Sequence, residues 1–231
     1  MSTQPISCYW MSSIVLLNRN FFRLLYIFLV SFVVVSCTTI QTDTSVEPST
    51  GEPFSDASEE TWSKRQFELS SIKYWRLTGR LAVSQGEEAW NINIDWQQKD
   101  QDYEIVLNGP FGLGKVKLNG NPYGVILKDS DEQVFYADKP ETLLFEQTGV
   151  TMPVEGLRYW VVGLTSPDQQ QTPRLDQRGR LSYLEDEQWK VKFKRYVQVS
   201  GIDLPRKVFI VEPDRDIDVR LVVDKWKLGA F

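Results

Sequence analysis

From residue 74 onward, apolar and polar residues alternate with a period of two. In YWRLTGRLAV, Trp75, Leu77, Gly79, Leu81 and Val83 share one face, and Arg76, Thr78 and Arg80 share the other. Trp90, Ile92, Ile94 and Trp96 alternate with Asn91, Asn93 and Asp95, and Tyr103, Ile105 and Leu107 alternate with Glu104 and Asn108. Successive side chains of a strand point to opposite faces, so strict alternation marks strands with one wet and one apolar side. The connections QGEE, KDQD and NPYG are short and rich in turn residues. A parallel return would need a helical crossover, so these strands form an antiparallel meander. KVKLNG, VILK and QVFYA extend it. From Gly179 the pattern resumes in GRLSYLED, QWKVKFKRYVQV, RKVFIVEP and DIDVRLVVDKWKL, the last with Ile217, Val219, Leu221 and Val223 on one face.

Three segments change period to that of a helix. DASE at Asp56 has the form of a capping box, and Trp62, Leu69 and Ile72 follow at helical spacing. PETLLFEQTG after Pro140 predicts a second helix. PVEGLRYWVVG predicts a third, with Pro153 near its first turn and Leu157, Trp160, Val161 and Leu164 on one stripe. TSPDQQQTP reads as loop. The fold class is therefore α+β, with one dominant antiparallel sheet of about nine to eleven strands and three helices. A long sheet with a continuous apolar face must cover it, and few amphipathic helices suit a curved sheet closed across its mouth. The apolar face is heavily aromatic, including Trp75, Trp90, Trp96, Tyr103, Trp160, Trp189 and Phe193. Bulky rings leave room for a ligand between sheet and helices. A plain filled core is the alternative, and periodicity alone favours it.

The N-terminus reads differently. Arg19 and Arg23 precede an apolar run from Leu24 to Ser36 that ends in small residues before Cys37. This is the layout of a secretory signal, too short for a standard membrane span. An uncleaved anchor is the alternative, since Phe21 and Phe22 lengthen the run. VVSC (Val34–Cys37) resembles a bacterial lipobox, which implies lipidation of Cys37; Thr38 in place of aspartate implies export to the outer membrane. Met11 offers a second start that would give a signal of ordinary length. Residues 1–36 are then signal, and residues 37–60, rich in Thr, Ser, Pro and acid, form a flexible tether. Residues 61–231 form one domain.

Charge and chemistry narrow the function. Of 231 residues, 26 are Lys or Arg and 31 Asp or Glu, giving a net charge of −5. Loss of residues 1–36, with two arginines and no acid, takes this to −7. An acidic chain has no footprint for nucleic acid. There is no histidine, which removes imidazole bases, histidine-bound metals and Ser-His-Asp triads. No phosphate-binding loop occurs, and no cofactor or metal is implied. The acids Asp129, Asp131 and Glu132, and Glu185, Asp186 and Glu187, fall in turns, where solvated acids are common. Lys192, Lys194 and Arg195 read as a solvated face, with docking to an acidic partner or headgroups as the alternative.

Four stretches, in this order behind a lipobox, resemble the LolB family of outer-membrane lipoprotein receptors: WRLTGRLAV, NIDWQQ followed by YEIVLNGPFGLG, MPVEGLRYWVVGL, and VRLVVDKW. The resemblance spans Cys37 to about Trp226. It implies an incomplete antiparallel barrel (a half-barrel) with helices covering its apolar concave face. It implies a monomeric, lipid-anchored protein on the periplasmic face of the outer membrane that is not an enzyme. Its partners would be the periplasmic carrier LolA, lipoprotein cargo and outer-membrane lipid. The cavity taking cargo acyl chains would be lined by Trp75, Leu77, Trp90, Ile92, Ile94, Trp96, Ile105, Leu107, Trp160 and Leu221. The family's insertion loop carries an exposed apolar residue, often leucine, after a proline. Here GPFG puts Phe111 at that position, with Gly112 and Leu113 beside it. The residues alone favour Phe111 folded back as a plug at the barrel end; the family resemblance reverses that order. The rival reading for the whole chain is a half-barrel lipoprotein that senses lipids or lipoproteins without inserting them.

Overall fold

The structure is a computed structural model that describes residues 56–109, 114–167 and 169–230. The predicted signal, Cys37, and the loop tip with Phe111, Gly112 and Leu113 lie outside the described residues. Helix α1 (Asp56–Ser70) leads into the meander β1 (Tyr74–Gln85), β2 (Glu88–Lys99), β3 (Asp102–Asn108), β4 (Lys115–Asn121), β5 (Gly124–Lys128) and β6 (Val134–Ala137). Helices α2 (Pro140–Thr148) and α3 (Val154–Trp160) follow. A second meander then runs through β7 (Thr172–Leu175), β8 (Leu181–Glu185), β9 (Lys190–Val199), β10 (Ile202–Glu212) and β11 (Ile217–Leu228). Among the described residues, no helix is long and apolar enough to cross a membrane.

All eleven strands join one antiparallel sheet, in the order β6-β5-β4-β3-β2-β1-β11-β10-β9-β8-β7. The sheet is open: β6 and β7 are its two edges and do not pair. Both edges are only four residues long, and β7 contains Pro173, which cannot donate to a neighbour. The predicted alternation is seen directly. Leu77, Leu81, Ile92, Ile94, Ile105, Leu107, Val116 and Leu118 are buried on one side, while Arg76, Arg80, Asn93 and Asp95 face the other. The three helices lie against the apolar side and contribute Trp62, Leu69, Leu143, Leu144, Leu157 and Trp160 to the same core.

The two meanders meet at a single seam, β1 with β11. Pairing shifts between Thr78 and Gly79, so Thr78 opposes Lys225 while Gly79 opposes Val223. Asp224 is the extra residue of this β-bulge, and its carboxylate accepts two hydrogen bonds from the Arg80 guanidinium at 3.1 and 3.0 Å. The bulge resets the alternation, so Trp226, rather than Lys225, turns inward to be buried. Gly79 permits this approach: a Cβ there would stand 2.3 Å from the Val222 carbonyl oxygen.

Three expectations are refined. The third helix stops at Trp160 rather than continuing to Leu164, because left-handed Gly163 (φ 86°) ends it and Leu164 N–H turns back to the Tyr159 carbonyl at 3.0 Å. The predicted loop gives up its last two residues, Thr172 and Pro173, to edge strand β7. The predicted strand RKVFIVEP is part of a longer β10 that runs through Pro205. Register shifts on both sides of Lys207 accommodate the proline, and Trp226 Nε1 donates to its carbonyl at 3.1 Å.

Gly79→Ala should force the seam apart and cost about 2–3 kcal/mol. The check is a urea unfolding curve, with a lowered midpoint and an unchanged slope. A midpoint equal to that of the native protein would show that the seam has slack.

Candidate functional site

The residues predicted to line a cavity converge on one surface. Trp75, Leu77, Ile92, Ile94, Trp96, Ile105, Leu107 and Leu221 come from four different strands and are all buried on the helix-covered side. Trp160 meets them from α3, and Trp90 is half-buried at the margin of the same core. The rings form a chain: Trp75 lies 5.5 Å from Trp96 and 5.6 Å from Trp226, and Trp96 lies 6.3 Å from Tyr103. Leu77, Ile105 and Trp160 are 0% exposed and line neither of the clefts described below. In this arrangement the protein's own side chains fill the space beside these residues. Gly156 allows α3 to fold its tryptophan back this way, since a Cβ there would sit 2.7 Å from the Trp160 ring. Two residues escaped the sequence reading. Trp226 was hidden by the bulge, and Met152 precedes α3 in a segment without periodicity.

Polar groups inside this surface are few. Trp96 Nε1 donates to Gln98 Oε1 at 3.1 Å, and Gln98 Nε2 donates to the carbonyls of Asp100 and Asp102. That chain shapes the β2–β3 turn and leaves Gln98 satisfied although buried. Trp160 Nε1 is different: it is buried and has no acceptor among the described residues. A buried donor without a partner costs about 1–3 kcal/mol.

The helical cover has a small number of polar fastenings. Arg65 of α1 donates to the Asp203 carbonyl at 2.5 Å. Its guanidinium lies 5.9 Å from the Tyr196 ring, and Arg180 lies 4.4 Å from that ring. Arg180 also binds Asp176 at 2.6 Å and Asp203 at 3.0 Å. Burial pushes the Asp176 carboxyl up, but Arg180 and the backbone N–H groups of Arg178 and Arg180 outweigh it and hold Asp176 below the usual range. This cluster therefore weakens as pH falls through the lowered Asp176 value. Arg158 of α3 donates to the Asp100 carbonyl at 2.8 Å. Glu141 of α2 accepts the Glu155 N–H of α3 at 2.7 Å.

Two clefts open at the end of the sheet that carries the β2–β3 and β4–β5 turns. The smaller, of about 390 Å³, lies between these turns and α2–α3; Trp96 forms part of its wall, with Tyr103, Asp138, Glu155 and Arg158. The larger, of about 650 Å³, wraps around the β4–β5 hairpin. Tyr103 belongs to both. Its ring covers Gly120, its cross-strand partner, where a Cβ would fall 2.0 Å from the ring. Burial raises the Tyr103 phenol well above its ordinary value, so it remains a neutral hydroxyl. Of the ten predicted lining residues, Trp96 alone reaches either cleft.

The remaining sequence candidates have structural roles. Asp129 Oδ1 accepts the N–H groups of Asp131 and Gln133. Asp186 Oδ1 accepts those of Gln188 and Trp189. Both acids staple turns. Lys192 and Lys194 are exposed on the outer side of β9. The cross-strand pair Asn108 and Lys115 closes the base of the Phe111 loop.

Burial is the largest influence on Glu141 and raises its pKa. Its contribution to the closed cover is therefore fully present at acid pH and is lost as pH rises through the raised value. Glu141→Gln keeps an acceptor for the Glu155 N–H without the charge. It should raise the melting temperature at pH 7 and leave it unchanged at pH 4. An equal gain at both pH values would contradict the assignment.

The comparisons with known proteins agree with one another. A family model described as outer membrane lipoprotein LolB matches residues 73–226. The chain is 38% identical over 172 residues to outer-membrane lipoprotein LolB of Nitrosococcus oceani, covering 74% of this chain and 85% of that one. It is 35% identical over 171 residues to outer-membrane lipoprotein LolB of Pseudomonas savastanoi pv. phaseolicola, covering 73% and 82%. A solved LolA superfamily protein from Nitrosomonas europaea superposes with a TM-score of 0.53 at 9% identity, over 74% of this chain and 94% of that one, a likeness of fold. The chain belongs to the LolB family, whose members are lipoprotein-trafficking proteins and not enzymes.

Proposed function

We propose that this protein accepts lipoproteins from the periplasmic carrier LolA, shelters their acyl chains on the apolar face of its sheet, and inserts them into the outer membrane. The observation that carries the reading is the continuous apolar face packed against apolar residues of all three helices. An acyl chain of about sixteen carbons gains roughly 12 kcal/mol on leaving water, at about 0.8 kcal/mol per methylene. A triacylated protein therefore needs an apolar shelter at every stage of transfer. The cargo opens the cover: acyl chains take the place of the helix residues against the apolar face of the sheet, and Trp160 stays beside the heads of the chains. No nucleotide drives this exchange. A receptor that binds its cargo more tightly than the donor takes most of it, tenfold for each 1.4 kcal/mol.

The unpartnered Trp160 N–H fits the same reading. The ester carbonyl at the head of an acyl chain is an acceptor that an apolar interior otherwise lacks. Trp160→Phe should weaken binding of an ester-linked acyl ligand about three- to tenfold. It should leave the affinity for a pure hydrocarbon dye unchanged. Equal losses for both ligands would assign Trp160 a packing role only.

Lipidation of Cys37 would anchor the domain to the outer membrane on its periplasmic face, with the tether expected over residues 37–60 shortened at its end because α1 begins at Asp56. Phe111, held between Gly109 and Gly112, would be the wedge that enters the headgroup layer, where aromatic rings partition well. Phe111→Glu should leave uptake of cargo from LolA intact and reduce its transfer into vesicles by about tenfold or more. Untouched transfer would refute the wedge. For the whole reading the test is loss of the chain in cells: lipoproteins should accumulate outside the outer membrane. Correct lipoprotein localisation with an altered envelope-stress response would instead favour a sensor.

A further inference from the structure

We infer that the two clefts beside Tyr103 form a seat for the peptide that follows the lipidated cysteine of the cargo, with a preference for neutral or basic residues over acidic ones. The inference rests on the acyl-uptake reading above. An amphiphile with its tails against the apolar face must place its polar junction where that face meets water. The smaller cleft is such a place. Trp96, itself without exposed area, contributes to its wall, while Gln101, Asp138, Glu155 and Arg158 supply polar groups at the opening.

From this opening Tyr103 leads into the larger cleft, whose lining includes Asn119, Asn121, Tyr123 and Tyr136 and no lysine or arginine. Tyr123 is 94% and Tyr136 73% exposed. Large rings exposed to this extent stabilise nothing in the free protein, and tyrosine is suited to contacts that are half apolar and half polar. Tyr136, Ala137 and Asp138, at the end of edge strand β6, line the same cleft. Unlike β7, β6 has no proline, so its backbone can pair with an extended segment. The volumes, 650 and 390 Å³, are in the range of ligand sites.

The charge selects the occupant. Asp102, Asp138 and Glu155 line the clefts against one cation, Arg158, whose guanidinium already donates to the Asp100 carbonyl. Neither Asp102 nor Asp138 has a cationic side-chain partner among the described residues, so their charge stays available to the occupant. The tyrosine faces add a cation–π contribution to any lysine or arginine placed over them.

The test is photocrosslinking in cells with the full-length chain. A photoreactive p-benzoylphenylalanine replaces Tyr123, Tyr136 or, separately, Trp75. Two tagged cargo lipoproteins carry either lysines or glutamates directly after the lipidated cysteine. The Tyr123 and Tyr136 sites should capture the lysine cargo about threefold or more over the glutamate cargo, and Asp138→Lys should reverse that order. The Trp75 site should capture both cargoes. Capture at Trp75 with none at Tyr123 and Tyr136 overturns the peptide seat and leaves acyl uptake standing. Equal capture of both cargoes overturns the charge preference. No capture at any of the three sites overturns the acyl-uptake reading itself.

Discussion

The structure depends on one constraint: an open antiparallel sheet with one apolar face cannot leave that face in water. A closed barrel would satisfy the constraint within the sheet. Here β6 and β7 remain apart, and the cover must come from helices. Burial of the Trp75–Trp96–Trp226 cluster is the large term, since each aromatic side chain removes about 150–250 Å² from water. The polar ties at Arg65, Glu141 and Arg158 are small beside it and act mainly to place the helices. A cover held chiefly by non-directional burial can be exchanged for other apolar matter. On the proposed function, hydrocarbon chains take over that burial.

On the proposed function, the seam between β1 and β11 keeps the sheet whole during that exchange. The two meanders are joined only there, through a register that a bulge and Gly79 define. The sheet keeps its own hydrogen bonds whether or not the helices are seated. On the same proposal, movement falls on helices that share no backbone–backbone hydrogen bond with the sheet among the described residues. The same division explains why an indole N–H is left without an acceptor on α3 and not on the sheet: Trp96 and Trp226 both have acceptors fixed by strand geometry.

Much of this was legible in the sequence because its signals are local. Alternation at Trp90–Trp96 and Trp75–Val83 gives strand, face and burial at once, and the short turns give antiparallel order within each meander. What escaped depends on distant residues. Nothing near Trp226 announces that Asp224 is a bulge, because the bulge is defined by Gly79 some 145 residues away. The predicted strand RKVFIVEP starts only after Pro205, whereas register shifts at Lys207 and the Trp226 hydrogen bond carry β10 through the proline. The residues of the buried apolar face were legible as a set, but the clefts were not, since these arise where α2–α3 meet turns that belong to separate parts of the chain. Cys37 and Phe111 are supported by sequence pattern and lie outside the described residues.

The central claim is that cargo replaces the helical cover while the sheet stays intact. Amide hydrogen exchange on the full-length protein, with and without a triacylated lipopeptide, tests it most directly. The account predicts that α1, α2 and α3 lose protection on binding while β1, β2 and β11 keep theirs. Tight binding with the helices as protected as before would contradict it.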